Sequence, residues 1–180
     1  AEGRAYRTAR ALKEKGYGVK VVTVESLDPD GSFFVCEDDY NGIDILRLTI
    51  PVPFGTSYEF NNPLIGKFIN ELITKENPDI FHMIGGYLIS GSAIESAKDA
   101  EIPVVISLTD FWYFCPRITF FRTDNNLSTL PIDFVDCVEC LNREKRRYRF
   151  LERLSPFISR LLAKKNKKKR ENLQQRYTYL

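Results

Sequence analysis

The chain predicts an α/β fold built on an open, doubly wound parallel sheet, and three observations carry that prediction. Short β-branched runs alternate with amphipathic segments from residue 2 to residue 108. Two of those four runs are closed by Gly or Pro, as strands feeding crossover helices are. Hydrophobic residues make up 43% of the 180 and charged residues 28%, a balance that packs a core and excludes a disordered chain.

The elements follow in order. Residues 2–16 read as a helix, because Ala5, Ala9 and Leu12 recur three and four apart with charges between them and Gly16 can end it. Val19 to Val24 is a β-branched strand. A polar loop follows, holding Cys36 among acidic residues, and Ile43 to Leu48 alternates like a second strand that Pro51 and Pro53 close. Residues 62–76 are helical, with Leu64, Phe68, Leu72 and Ile73 on one side. Pro78 to Ile84 reads as a short buried strand closed by Gly85-Gly86, and Ser90 to Ala100 as a small helix that Ser90 caps. Pro103 to Leu108 is a further strand. Residues 110–140 are aromatic, carry three of the four cysteines and have no period, which predicts a long irregular loop. Residues 141–177 return to helix, bent near Ser155-Pro156.

Charge divides the chain. Residues 1–140 hold 12 Lys and Arg against 21 Asp and Glu, whereas residues 141–180 hold 14 Lys and Arg against 3 Glu. The basic end is expected to have a surface or partner of its own. No apolar run nears the roughly 20 residues that span a bilayer, and no apolar h-region follows Ala1-Glu2-Gly3-Arg4. The reading is of a cytoplasmic protein, at most peripheral on the inner face of a membrane.

Several segments, in sequence, are familiar. Ala1-Glu2-Gly3-Arg4, the helix after it and Gly16-Tyr17-Gly18-Val19 resemble the opening of the family 4 glycosyltransferases. Pro78-Asp79-Ile80-Phe81-His82 resembles that family's Pro-Asp-Ile-hydrophobic-His strand, and Ile102 to Trp112 its Ile-Pro-Val-Val segment ending in His-Asp-Phe-Trp. Cys115-Pro116-Arg117 followed by Cys137-x-x-Cys140 is similar to a subgroup with a Cys-Pro-Arg loop. Thr109 stands where the family carries histidine, and the glycine-rich turn near the donor phosphates is represented only by Gly3 and its neighbours. The resemblance implies a Rossmann-like, N-terminal, acceptor-side half of a GT-B glycosyltransferase over residues 1–180. It also implies a nucleotide-sugar donor, transfer with retention and no required metal. A donor-binding domain and the strand feeding the first helix are then expected outside residues 1–180.

The residues carry their own chemistry. Ligands of open α/β sheets sit beyond the carboxyl ends of the strands, so the loops from Glu25, Gly85 and Thr109 are the candidates. Gly3 opens a helix whose N–H groups suit a donor phosphate, or it simply starts a helix. Thr109 and Asp110 follow an apolar strand; Asp110 either orients an acceptor hydroxyl in catalysis or caps the next loop. His82, Gly85, Gly86, Trp112 and Arg117 are candidates for the acceptor. Each has a plainer reading: His82 as a satisfied core residue, Gly85-Gly86 as a tight turn, Trp112 as core filling and Arg117 as a surface ion pair. Phe114 is expected in the core.

Cys115, Cys137 and Cys140 form three parts of a zinc site with His82 or solvent as fourth ligand, although free thiols are the expected state. Residues 143–170 combine lysines with an apolar stripe of Leu151, Leu154, Phe157, Ile158, Leu161 and Leu162. That favours packing on the domain or resting on an anionic membrane, which suits a lipid-linked acceptor, over binding nucleic acid. The expected function is transfer of a sugar from a nucleotide-sugar to a glycan, lipid-linked or small-molecule acceptor. A non-catalytic α/β module for a phosphorylated small molecule is the alternative.

Overall fold

The computed structural model describes residues 2–28, 31–51, 57–146, 148 and 156–180. They form two compact units, divided between Asp110 and Phe111. The first unit holds helix α1 (Glu2–Glu14), strands β1 (Lys20–Leu27), β2 (Phe34–Tyr40) and β3 (Ile43–Ile50), and helix α2 (Pro63–Glu76). Strand β4 (Phe81–Ile84), helix α3 (Ser92–Asp99) and strand β5 (Val104–Ser107) complete it.

The chain is therefore α/β, but the described strands lie in two small sheets rather than one parallel sheet. One has the order β1-β3-β2 and the other pairs β4 with β5. β1 and β3 are parallel, as are β4 and β5. β2 was not expected, since residues 34–40 read as loop. Asn41-Gly42 explains it: both have positive φ, +54° and +78°, the geometry of a two-residue turn whose twist matches the strands it joins. Such a turn allows only antiparallel pairing, and Tyr40 duly faces Ile43.

Both sheets contribute to one aliphatic core. Leu48 and Ile50 of β3 and Met83 of β4 are buried with Ile65, Ile69 and Ile73 of α2, and Val22, Phe81 and Val104 pack around them. The row turned inward on α2 is thus Ile65-Ile69-Ile73, with Leu64 exposed. Asn62 caps α2, its side-chain oxygen accepting the Leu64 N–H at 3.1 Å. Ser90 does not cap α3, which begins after Gly91. Its buried hydroxyl instead accepts the Asn62 N–H at 3.2 Å and bonds the Ser92 hydroxyl at 2.5 Å, tying the starts of the two helices together. Gly66 lets α2 approach α3, for a Cβ there would stand 3.2 Å from that of Ser92. β4 is half-buried rather than buried, with only Met83 fully enclosed.

The second unit is helical. α4 (Phe134–Arg143) is followed by a helix at Pro156–Lys165, α5, and one at Lys167–Tyr179, α6. Helix α4 starts inside the stretch expected to be irregular because Asp133 caps it, its Oδ1 accepting the N–H groups of Val135 at 2.7 Å and Asp136 at 3.4 Å. The bend expected near Ser155-Pro156 falls where description resumes, with Pro156 the first residue of α5. Leu151 and Leu154 lie outside the described residues. Asn166 makes a further break by capping α6 through the Lys169 N–H at 3.1 Å. Val138, Ala163 and Leu173, one from each helix, form the small core.

Candidate ligand-binding site

The ends of β4 and β5 gather candidate residues of the first unit. Ile84 pairs with Ser107 as the last rung of the parallel ladder, so the chain leaves both strands side by side. Gly85 continues this contact, its N–H donating to the Ser107 carbonyl at 3.4 Å. It does so at φ +77°, a conformation that favours glycine. Gly85 and Gly86 are buried, and the Gly86 carbonyl accepts the Ser90 N–H at 3.0 Å. Leu88 and Ser90 both adopt φ +67°, which costs roughly 1–2 kcal/mol apiece in a non-glycine residue. The hydrogen bonds of Ser90 to Asn62 and Ser92 hold the loop there.

Thr109 and Asp110 follow β5 and are half-buried, with the Thr109 hydroxyl donating to Asp110 Oδ2 at 3.5 Å. His82 lies within β4 rather than at its carboxyl end. It is exposed, not a core histidine, and its Nε2 stands 2.9 Å from Ser107 Oγ. A glycine backbone, a hydroxyl–carboxylate pair and an imidazole–hydroxyl pair thus sit around one end of a two-stranded ladder. Such groups hydrogen-bond polyhydroxylated ligands, and a carboxylate there accepts a bond from a hydroxyl that is to react. Ser107 was missed in the sequence, although a lone Ser in the apolar run Val104 to Leu108 was the available signal.

The remaining candidates are arranged differently. Gly3 lies in the exposed first turn of α1, where its carbonyl accepts from Arg7 Nε at 3.1 Å. Trp112, Arg117 and the three cysteines belong to the second unit. Trp112 is buried, with the Arg176 guanidinium 5.1 Å over its ring and donating to the carbonyls of Trp112 and Tyr113. That cation–π contact takes the face a sugar would stack on, so Trp112 fills the core, while Phe114, expected in the core, is exposed. Arg117 Nε donates to Glu144 Oε1 at 2.6 Å and Nη1 to the Phe121 carbonyl, the arrangement of a surface ion pair.

The cysteines are free thiols. Cys137 and Cys140 are one turn apart on α4. Cys140 Sγ accepts the Thr123 N–H at 3.4 Å. Burial pushes the Cys137 thiol up to about 11, and Cys115 and Cys140 nearby push the same way. Among the described residues no three His, Cys, Asp or Glu are placed to hold a metal ion.

No protein-family model, curated protein or solved structure matches the chain. Among the described residues no helix is long and apolar enough to cross a membrane.

Proposed function

We propose that the chain is the acceptor-side part of a glycosyltransferase of the GT-B type, taking a sugar from a nucleotide-sugar donated by a second, donor-binding domain. The observation that carries this reading is that Gly85-Gly86 and Thr109-Asp110 leave the paired carboxyl ends of parallel strands β4 and β5, where the Gly85 N–H donates to the Ser107 carbonyl. Thr109-Asp110 lies within, and Gly85-Gly86 shortly after, a segment in which the sequence resembles family 4 enzymes, and strand ends are where α/β sheets bind ligands. In this reading the Asp110 carboxylate accepts a hydrogen bond from the acceptor hydroxyl and aims it at the sugar. Thr109 holds that carboxylate through its own hydroxyl. His82 and Ser107 bind further hydroxyls of the acceptor. The parallel pairs β1-β3 and β4-β5 are read as parts of a doubly wound, Rossmann-like domain.

Saturation-transfer NMR against a panel of nucleotide-sugars tests it, on this chain and on a longer protein that carries it. Binding by the longer protein and not by residues 1–180 is expected. Failure of both to bind any member would remove the transferase reading, and binding of phosphorylated compounds without sugar transfer would replace it by the non-catalytic module.

A further inference from the structure

Helix α5 is turned the opposite way from an ordinary surface helix. Its small residues point inward: Ser159 and Ala163 are buried, and Ala163 packs with Val138 and Leu173. Three of its four large apolar residues, Leu162 excepted, point out. Phe157 is 80% exposed, Leu161 55% and Ile158 39%. Phe157, Leu161 and Lys165 follow one another at four-residue spacing, and Ile158 and Lys164 lie three residues to either side of Leu161, so all five share one face.

The cations on this face are left over after the others are paired. Arg160 is held by Asp136 at 2.8 Å, Lys167 by Glu171 at 3.6 Å, and Lys169 by Asn142 at 2.9 Å. Lys164 and Lys165 of α5 and Lys168 of α6 are exposed and have no ion-pair partner among the described residues. A solvated helix gains nothing by holding three adjacent apolar side chains in water. A polyanion such as nucleic acid needs the cations but not a Phe-Ile-Leu ridge. A bilayer interface uses both, because apolar side chains enter the headgroup region while flanking lysines meet lipid phosphates.

We propose that this face of α5, with Lys168 at the start of α6, docks on an anionic lipid surface. Phe157, Ile158 and Leu161 enter the interface, and Lys164, Lys165 and Lys168 supply the charge selectivity. The proposal stands on the second unit alone and does not depend on the transferase reading.

Cosedimentation of the whole chain with vesicles tests it, using phosphatidylcholine alone and phosphatidylcholine mixed with phosphatidylglycerol. Binding is expected only to the mixed vesicles and to weaken with salt. Lys164→Gln/Lys165→Gln/Lys168→Gln should lower partitioning on the order of a hundredfold. Phe157→Ser/Leu161→Ser should lower it roughly tenfold or more while the salt dependence persists. All five positions are exposed, and unchanged circular dichroism would confirm that each variant folds. Equal binding to neutral vesicles, no binding to either, or no effect of either variant would overturn the proposal. So would preference for a fluorescent single-stranded oligonucleotide over anionic vesicles, which would make the face a nucleic-acid surface.

Discussion

Eight buried aliphatic, methionine and alanine side chains from two strands and two helices form the main core cluster of residues 2–110. The buried cluster of residues 111–180 is smaller, with Val138, Ala163 and Leu173, and the unit also carries a network of ion pairs. In the second unit Arg122 meets Asp124 at 3.2 Å and Asp136 at 3.4 Å, Arg143 meets Asp124 and Glu139 at 3.3 Å each, and Arg160 meets Asp136 at 2.8 Å. Apolar burial scales with area and is indifferent to pH, whereas a partly buried ionic network depends on every member keeping its charge. The two units are therefore expected to respond to different insults.

The largest effect should come from Ile69→Ala, which removes a buried branched side chain from the core of the first unit. A loss of about 2–5 kcal/mol is expected, read as reduced hydrogen-exchange protection in β3 and α2 with α4 little changed. Equal loss in α4 would break the comparison, because the units would then unfold together. Arg143→Ala addresses the other side. It deprives Glu139, only 5% exposed, of its nearest cation and leaves Arg160 at 3.9 Å, so a cost of about 2 kcal/mol confined to the second unit is expected.

The same network has a pH signature. Burial raises the Asp124 carboxyl, but the Asn126 N–H and the Arg122 and Arg143 guanidinium groups outweigh it and hold the group below the usual carboxylate range. A depressed acid contributes stability above its unfolded value, near 3.9, and loses it as pH falls through the folded one. The second unit should therefore weaken below about pH 4, with Arg143→Ala flattening that limb of a melting-temperature profile.

Smaller effects follow. Gly42→Ala places a side chain at φ +78° and should cost about 1 kcal/mol, seen as faster exchange in β2 and β3. Cys137 should react with iodoacetamide at pH 8 far more slowly than exposed Cys36, since its thiol stays protonated toward about 11. Because that folded value lies above the unfolded one, this thiol's contribution is complete below about pH 8.5 and is lost as pH rises toward the folded value.

Legibility in the sequence follows the same division. β1, β3 and β5 announce themselves through β-branched runs, and β4 through a short apolar run closed by Gly85-Gly86, since each has a face that must be apolar. β2 carries Cys36-Glu37-Asp38-Asp39 and is exposed along its whole length, so no hydrophobic pattern marks it, and only Asn41-Gly42 gives it away. α2 has two adjacent apolar rows, and contact with Met83 and Ala93, not periodicity, turns the isoleucine row inward. Of the candidate site, Gly85-Gly86 and Thr109-Asp110 are readable as strand ends, but the His82–Ser107 contact depends on strand register, which the sequence does not print. In the loop after residue 110 no period separates in from out: Trp112 takes its core-filling reading because Arg176, far along the chain, claims the indole, while Phe114, expected in the core, is exposed.

The edge strands of the first unit differ in what they offer a second copy of the chain. β2 presents Glu37, Asp38 and Asp39, and two such edges brought together would stack carboxylates against each other. β5 is Val-Val-Ile-Ser, has no charge, and leaves Val105 45% exposed. Acidic gatekeepers thus guard the β2 edge against intermolecular strand addition and leave the β5 edge unguarded. Aggregation of concentrated samples should begin at β5, and Val105→Lys should delay its onset in a thioflavin assay.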